Sequence, residues 1–226
     1  MSRGKKGKAK HSFQRGKPKR EQAKRILIVV EGQTEKLYFE RLKESLRLAS
    51  ISFDFITKSS TPDKMVDSVR KKAGRRKDID EVWYVFDSEV NQKENVRGHC
   101  SAAQKIGCEI GLSNPCFEFW LLLHISDYGK TNLNPEDLEK DLIAESEKHF
   151  KIGYSKKESK IQKFYNILFE DKDIAESFLK AAADRLDKHL GSEAGWEFVL
   201  ENNPSTNVHV LAKTLLNEYK AKSRLT

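Results

Sequence analysis

The chain has 226 residues, of which 38% are hydrophobic and 34% are charged. This length and apolar content suffice for one α/β domain with a helical appendage and are too small for two independent domains. No run of about 18 apolar residues and no apolar signal-peptide region occurs, which argues against a membrane partner and against secretion. We therefore expect a cytoplasmic protein whose three cysteines are reduced thiols.

The positive charge of the chain is concentrated at its N-terminus. Residues 1–25 contain eleven Lys or Arg and one Glu, a net charge of +10, whereas the remaining residues carry −2. Because this segment has almost no apolar side chains, we predict a disordered basic arm. Such an arm can bind nucleic-acid phosphates by releasing their counterions, although a solubilising tail without a specific partner would have the same composition.

Alternating strand and helix patterns follow the arm. A β-branched run at 25–30 predicts a strand buried on both faces, ending at Glu31 and Gly32, and Thr34 is the predicted N-cap of the next helix. The whole pattern predicts strands at 25–30, 51–56, 81–86 and 107–112, and helices at 34–48, 61–75, 95–105 and from 113 onward. Since strands and helices alternate, we expect an α/β fold with a mostly parallel central sheet flanked by helices.

From Pro135 nearly to the end of the chain, the apolar spacing is helical. We expect these helices to pack on the sheet, so that residues 26–226 form a single domain with a helical C-terminal extension at about 130–226. The C-terminal positions predicted to be buried are Leu138, Leu142, Ile161, Phe164, Ile167, Phe178, Leu179, Leu186, Leu211 and Leu215.

Two of the predicted strands end in carboxylates. Glu31 follows the first strand and Asp87 the third, with Glu89 two residues further on. Ligands of an open parallel sheet gather at the carboxyl ends of its strands, and Glu35, in the next helical turn, can face the same space. Such carboxylates repel each other unless a divalent ion such as Mg²⁺ neutralises them, and that ion suits phosphodiester chemistry. A simple helix-terminus role for Glu35 and a solvated turn for Glu89 remain open alternatives.

Four segments of the chain resemble signature segments of the RloB-like family. They are IVVEGQTE at 28–35, VFDSE at 85–89, SNPCFEFWLLLH at 113–124 and NPSTNV at 203–208. The third segment is the most specific, and the likeness spans roughly residues 26–216, without the basic arm. The resemblance implies a Toprim-type fold, the catalytic core shared by topoisomerases, primases and the overcoming-lysogenization-defect nucleases.

The resemblance also implies roles for the acidic residues. Glu31 corresponds to the glutamate of the first Toprim strand, and Asp87 with Glu89 to the Asp-x-Asp pair, whose second member is Glu in this chain. Glu35 stands where related nucleases tend to have a second acid. RloB-like proteins are associated with ATPase partners in anti-phage or abortive-infection systems. Because this chain has no P-loop motif, any use of ATP would come from such a partner.

The 113–124 segment contains three polar residues that could be functional or structural. Glu118 lies among apolar side chains, where a charge must be paired, bound to a metal or at an edge. It is therefore a further candidate metal ligand, with a structural salt bridge or hydrogen bond as the alternative. Asn114 is predicted to cap the helix of this segment, and His124 is expected to be a hydrogen-bonded core histidine rather than a proton donor.

Positive charge also recurs in the second half of the chain, at Lys156, Lys157 and Lys160. A lysine from this group could bind the substrate backbone or stabilise charge on a cleaved phosphate. An exposed helix face explains the same pattern equally well.

The leading hypothesis is a Toprim-type endonuclease of a bacterial anti-phage system, acting on RNA or DNA. One or two Mg²⁺ or Mn²⁺ ions, held by Glu31 and Asp87 with Glu35, Glu89 and Glu118, would activate water against a phosphodiester. One alternative is a catalytically inactive nucleic-acid-binding or regulatory subunit of an ATPase-containing defence complex, which the glutamate at position 89 favours. Nucleotidyl transfer, as in primases, would use the same ligands.

Overall fold

The structure is a computed structural model and describes residues 24–55, 62–74, 79–88, 93–190 and 195–223. The basic arm predicted at 1–25 lies outside the described residues except for its last two positions, and Glu89 lies outside them as well. Strands within these ranges are β1 (Ile26–Val30), β2 (Ile51–Phe55), β3 (Glu81–Asp87), β4 (Cys108–Asn114) and β5 (Ser205–Thr206). The helices are α1 (Gln33–Ser45), α2 (Pro62–Ala73), α3 (Lys93–Lys105), α4 (Glu118–Ile125), α5 (Pro135–Phe150), α6 (Glu158–Leu168), α7 (Lys172–Leu190), α8 (Trp196–Glu201) and α9 (Val208–Ser223).

The strands form one sheet with the order β2-β1-β3-β4-β5. The first four strands are parallel, and β5 pairs antiparallel with β4. The predicted mostly parallel central sheet flanked by helices is thus confirmed. In this order β2 and β3 lie on opposite sides of β1. The connection that leaves β1 leads to β2 on one side, whereas the connection that leaves the neighbouring strand β3 leads to β4 on the other side. Such a reversal opens a crevice at the carboxyl ends of β1 and β3.

Helices cover both faces of the sheet, which explains the uninterrupted apolar run of β1. Ile26, Ile28 and Val30 pack into one core with α1, α4 to α7 and α9. Leu27 and Val29 pack on the opposite face with α2, α3 and α8. Because successive strand residues point to opposite faces, only a strand between two helical layers buries both sets.

Helix α4 lies at the centre of the helical half. All eight of its residues are buried, as expected for a helix that is apolar on nearly every side. Of the C-terminal positions predicted to be buried, Ile167 and Phe178 are half-buried and the others are buried. The helical C-terminal half is therefore confirmed, while the division into an arm and one domain stays a prediction.

Several predicted local features are wrong. Helix α1 begins at Gln33 after Gly32, and Thr34 lies inside its first turn instead of capping it. Residues 113–115 do not begin a helix, because β4 continues to Asn114 and α4 starts three residues after Pro115. The extra strand residues pair with β5, which lies in a segment expected to be helical. Because the hydroxyls that meet across this pair are 93 residues apart in sequence, no local signal reveals the pairing.

Within the described parts of the chain, no helix has the length and apolar character needed to cross a membrane.

Candidate active site

The carboxyl ends of β1 and β3 bring two of the predicted acids together. Val30 lies opposite Val85 in the sheet, so Glu31, the next residue, leaves β1 beside the last two residues of β3. Neighbouring strands are about 4.8 Å apart, which places the backbone of Glu31 next to that of Phe86 and one residue from Asp87. Both acids are half-buried. The structure therefore places Glu31 and Asp87 at the crevice that the strand order creates.

Glu31 is held by a phenol from the neighbouring strand. The hydroxyl of Tyr84 donates a hydrogen bond to Oε1 of Glu31. Burial and the negative charge of Glu31 raise the pKa of Tyr84, so this phenol remains a protonated donor. Tyr84 was not among the residues predicted from the sequence. Its position on β3, three residues before Asp87, is a signal only once the register with β1 is known.

Glu35 adds a third carboxylate from the first turn of α1, and its side chain is only 4% exposed. Burial raises the pKa of Glu35 to about 7, and the negative charges of Glu118 and Glu31 act in the same direction. A hydrogen bond from its own backbone N–H and the positive charge of Lys156 oppose this rise. A Cβ atom at Gly32 would collide with the carboxylate of Glu35, so a side chain at position 32 would displace this carboxylate. Glu31, Glu35 and Glu118 are therefore close enough for their charges to interact.

Glu118 is the first residue of α4 and is 2% exposed. Its Oε1 accepts a hydrogen bond from the hydroxyl of Tyr154 at 3.0 Å and forms an ion pair with Nζ of Lys156 at 3.0 Å. Burial raises the pKa of the Cys116 thiol, and the negative charges of Glu118 and Asp87 act in the same direction. The salt bridge expected as the structural alternative for Glu118 is present, and the side chain also lies near Glu35.

The helical half supplies the remaining wall of the site. Residues 151–157 connect α5 to α6 and carry both Tyr154 and Lys156. From α6, the hydroxyl of Tyr165 donates to the backbone oxygen of Thr34 at 3.1 Å, in the first turn of α1. Neither tyrosine was predicted from the sequence, because an aromatic residue in a loop or a helix has the same local pattern whether it fills a core or donates a hydrogen bond at a site. The α5–α6 connection therefore lies against Glu118, and α6 lies against the first turn of α1.

The three lysines predicted to bind substrate differ in their positions. Lys156 contacts Glu118, and half of its side chain is exposed to solvent. Lys157 precedes α6 as its N-cap residue, and Lys160 lies in the first turn of that helix; both are exposed. Only Lys156 has a described contact with an acid of the site.

His124 is the core histidine that the sequence suggests. It is 1% exposed, and its Nδ1 lies 2.8 Å from the backbone oxygen of Trp120, which can only accept a hydrogen bond. Its Nε2 therefore accepts from the hydroxyl of Tyr38 at 3.0 Å. Burial lowers the pKa of His124 to about 4, and the positive charge of Arg185 acts in the same direction. A neutral imidazole with both nitrogens bonded has no free proton to transfer at neutral pH.

The donor chemistry of the site suits a hard divalent cation, but the described residues do not complete a binding site. Glu31, Glu35, Asp87 and Glu118 offer only carboxylate oxygens, the ligands preferred by Mg²⁺ and accepted by Mn²⁺. In the described ranges, no group of three or more His, Cys, Asp or Glu side chains is arranged to hold a metal ion. Glu89, the remaining predicted ligand, is not among those residues.

The sequence matches the RloB-like protein family over residues 26–215. This match covers most of the chain, and the protein therefore belongs to the RloB-like family. The matched region contains β1 to β5 and the whole acidic site, and it leaves out the basic arm. No curated protein matches the chain.

Proposed function

We propose that this protein is a divalent-metal-dependent nuclease that hydrolyses phosphodiester bonds of RNA or DNA. The observation that carries the proposal is the grouping of Glu35, Glu118 and Glu31, whose mutual repulsion contributes to a Glu35 pKa of about 7. This grouping lies at the strand-order reversal where α/β proteins bind ligands, and Asp87 ends the neighbouring strand there. Acids that repel one another at such a place are poised for a cation.

In this proposal Glu31 and Asp87 are the principal metal ligands, and Glu89 completes the set from the segment after β3. Glu118 is an additional ligand, and Glu35 accepts a proton from the reacting water. Proton acceptance suits Glu35 because a base works best when its pKa lies near the working pH. A bound Mg²⁺ or Mn²⁺ ion would supply charge neutralisation at the phosphate and a more acidic water molecule.

Lys156 is the residue we assign to the substrate backbone. Its ammonium group lies 3.0 Å from the Glu118 carboxylate, and half of the side chain is exposed, so it can reach an arriving phosphate without leaving the site. Lys157 and Lys160, exposed on the same connection and on α6, extend the positive charge away from the acids. The basic arm would add sequence-independent affinity that falls as salt concentration rises.

Family membership supports the biological setting that we propose. The protein would act in an anti-phage or abortive-infection system, in the cytoplasm, and an ATPase partner protein would supply any dependence on ATP. The absence of a P-loop motif in the printed sequence is consistent with this division of labour.

The test is cleavage of labelled total RNA, plasmid DNA and single-stranded DNA with added Mg²⁺ or Mn²⁺, alone and with a candidate ATPase partner. Wild-type protein is compared with Glu31→Ala and Asp87→Ala. Glu109→Ala is the matched control, since it removes an exposed carboxylate near the opposite end of β4. We expect cleavage that requires metal, is abolished in both site variants and is unchanged in the control. Activity that survives both site substitutions would show that the site is placed wrongly.

One observation favours a second candidate, a catalytically inactive nucleic-acid-binding or regulatory subunit. Oε1 of Glu118 is already engaged by Tyr154 and Lys156, which leaves it less free to bind a metal ion. This candidate predicts salt-dependent binding of RNA or DNA without loss of substrate under any metal condition. Fluorescence anisotropy on the same substrates separates the two functions, because only the nuclease shortens its ligand.

A further inference from the structure

The side chain of Asn114, the last residue of β4, connects Ser88, directly after β3, to the C-terminal end of α8. Its Nδ2 donates to the backbone oxygens of Val199, Leu200 and Asn202, at 3.0, 3.2 and 2.8 Å. Its Oδ1 accepts from the hydroxyl of Ser88 at 2.8 Å. Asn114 therefore caps the C-terminus of α8, where helices leave carbonyl groups without partners, and not the N-terminus of α4.

Only one orientation of this amide is compatible with its surroundings. Three carbonyl oxygens face one side of Asn114, so that side must be the NH₂ group. The oxygen is then directed at Ser88, whose hydroxyl is a donor. Asn114 and Ser88 are 4% and 2% exposed, so water cannot easily replace either partner. Asparagine is thus the residue type that satisfies a donor on one side and acceptors on the other.

Ser88 is the residue that immediately follows Asp87. Its backbone N–H donates to the oxygen of Ser113 at 2.7 Å, and its hydroxyl donates to Asn114, so two bonds to β4 hold it. Asp87 itself pairs with Ser113 in the sheet. These bonds hold the backbone at the point where the chain leaves β3, directly after Asp87.

Helix α8 is also tied to the start of the helix that follows β3. Glu201, the last residue of α8, forms ion pairs with Lys93 at 3.1 Å and with Arg97, both on α3. The same end of α8 therefore contacts β4 through Asn114 and α3 through Glu201. The buried hydrogen bonds of Asn114 position α8 relative to the exit of β3, and the half-exposed ion pairs of Glu201 add little to this.

We propose that Ser88 and Asn114 are positioning residues, which hold Asp87 at the distance from Glu31 that the reaction requires. This inference rests on the proposed nuclease function and extends it beyond the acidic residues. In this proposal Asn114 is held by the carbonyl groups at the end of α8. Through its hydrogen bond with the Ser88 hydroxyl, Asn114 in turn holds the residue that follows Asp87 at the end of β3. Neither residue touches the substrate or the metal in this assignment.

The experiment compares Ser88→Ala, Ser88→Thr and Ser113→Ala with the wild type. Ser113→Ala is a matched control, because it also removes one buried hydroxyl, whose partner is Thr206 at 3.1 Å and not Asn114. The measurements are kcat and KM for cleavage, Mn²⁺ affinity by calorimetry, and thermal unfolding. We expect Ser88→Ala to lower kcat and weaken Mn²⁺ binding about tenfold with KM nearly unchanged, as supporting residues of metal sites do. Ser88→Thr keeps the hydroxyl and restores both values.

The outcomes separate this proposal from the function on which it rests. If Ser88→Ala behaves like Ser113→Ala, with lower thermal stability but unchanged kcat and Mn²⁺ affinity, the positioning role is refuted while the nuclease remains. If the wild type neither cleaves any substrate nor binds Mn²⁺, the nuclease proposal fails and the positioning role fails with it. Asn114→Ala is expected to lose more activity than Ser88→Ala, because it removes the whole link; an equal or smaller loss contradicts the assigned order.

Discussion

Replacing Glu35 with glutamine should stabilise the protein at alkaline pH and leave it unchanged at acidic pH. Burial raises the pKa of Glu35 from an ordinary 4.5 to about 7. The folded state therefore holds this proton more tightly than the unfolded state does. The resulting stability is fully present below about pH 4.5 and is lost as the pH rises through about 7. A glutamine side chain at this position would carry no charge at any pH and can still accept the hydrogen bond from its own backbone N–H.

The size of the effect follows from the pKa change. Each pKa unit corresponds to about 1.4 kcal/mol, so ionisation of Glu35 costs the folded state about 3 kcal/mol at pH 8. Because the side chain is only 4% exposed, solvent screening removes little of this energy. We expect Glu35→Gln to match the wild-type free energy of unfolding near pH 4.5 and to exceed it by up to about 3 kcal/mol at pH 8.

Urea unfolding followed by circular dichroism from pH 4.5 to 8, with a chelator present, measures this difference. Subtracting the wild-type curve removes other titrations, including that of His124, whose lowered pKa weakens the folded state as pH falls below about 6.5. Glu44→Gln is the control: Glu44 is exposed on the same helix and pairs only at the surface with Arg41. Its substitution should change stability by under about 0.5 kcal/mol at every pH. A Glu35→Gln difference that is equal at pH 4.5 and pH 8, or a loss at pH 8, would refute the reasoning.

Three further substitutions test other parts of the structure by urea unfolding at pH 7. Tyr38→Phe should lose about 2 kcal/mol, because the buried ring nitrogens of His124 and Trp120 lose their partner. Leu122→Ala should lose about 3 kcal/mol, because it leaves a cavity in a fully buried helix. Lys156→Met should lose about 1 kcal/mol and raise the pKa of Glu35 further, because it removes the cation beside Glu118.

A control variant or a contradicting result tests each of these three substitutions. Lys157→Met, one position away at an exposed site, should change neither stability nor the pH dependence that Glu35 produces. Full stability in Tyr38→Phe would mean that the two ring nitrogens find other partners. A Leu122→Ala loss below about 1 kcal/mol would mean that the core collapses around the gap.

The positions of Glu31 and Asp87 could be predicted from the sequence because both follow local signals. A short β-branched run that ends at a charged residue marks a buried strand and the edge where its side chains become accessible. The alternation of such runs with helical spacing predicted the parallel sheet in the same way. The sequence also indicated that His124 belongs to the core, since the residues before it are apolar.

The surroundings of the acids could not be predicted, because they depend on residues that are distant in the chain. Tyr154 reaches Glu118 across 36 residues, and Tyr38 reaches His124 across 86. Asn114 looked like the cap of the helix that follows it, yet it caps a helix more than 80 residues later. Apolar and charge spacing reports which face of an element is buried, but not which remote side chain lies opposite it.

The fold class, the family and the acids at the strand ends could all be inferred from the amino-acid sequence, because local spacing and short motifs carry that information. The protonation and the hydrogen-bond partners of those acids, in contrast, required the folded structure. The pKa of Glu35 and the partners of Glu118 and Glu31 depend on burial and on charges brought together by packing. Electrostatic energies vary with the distance between charges and with their access to solvent, and folding sets both quantities for residues that are distant in sequence.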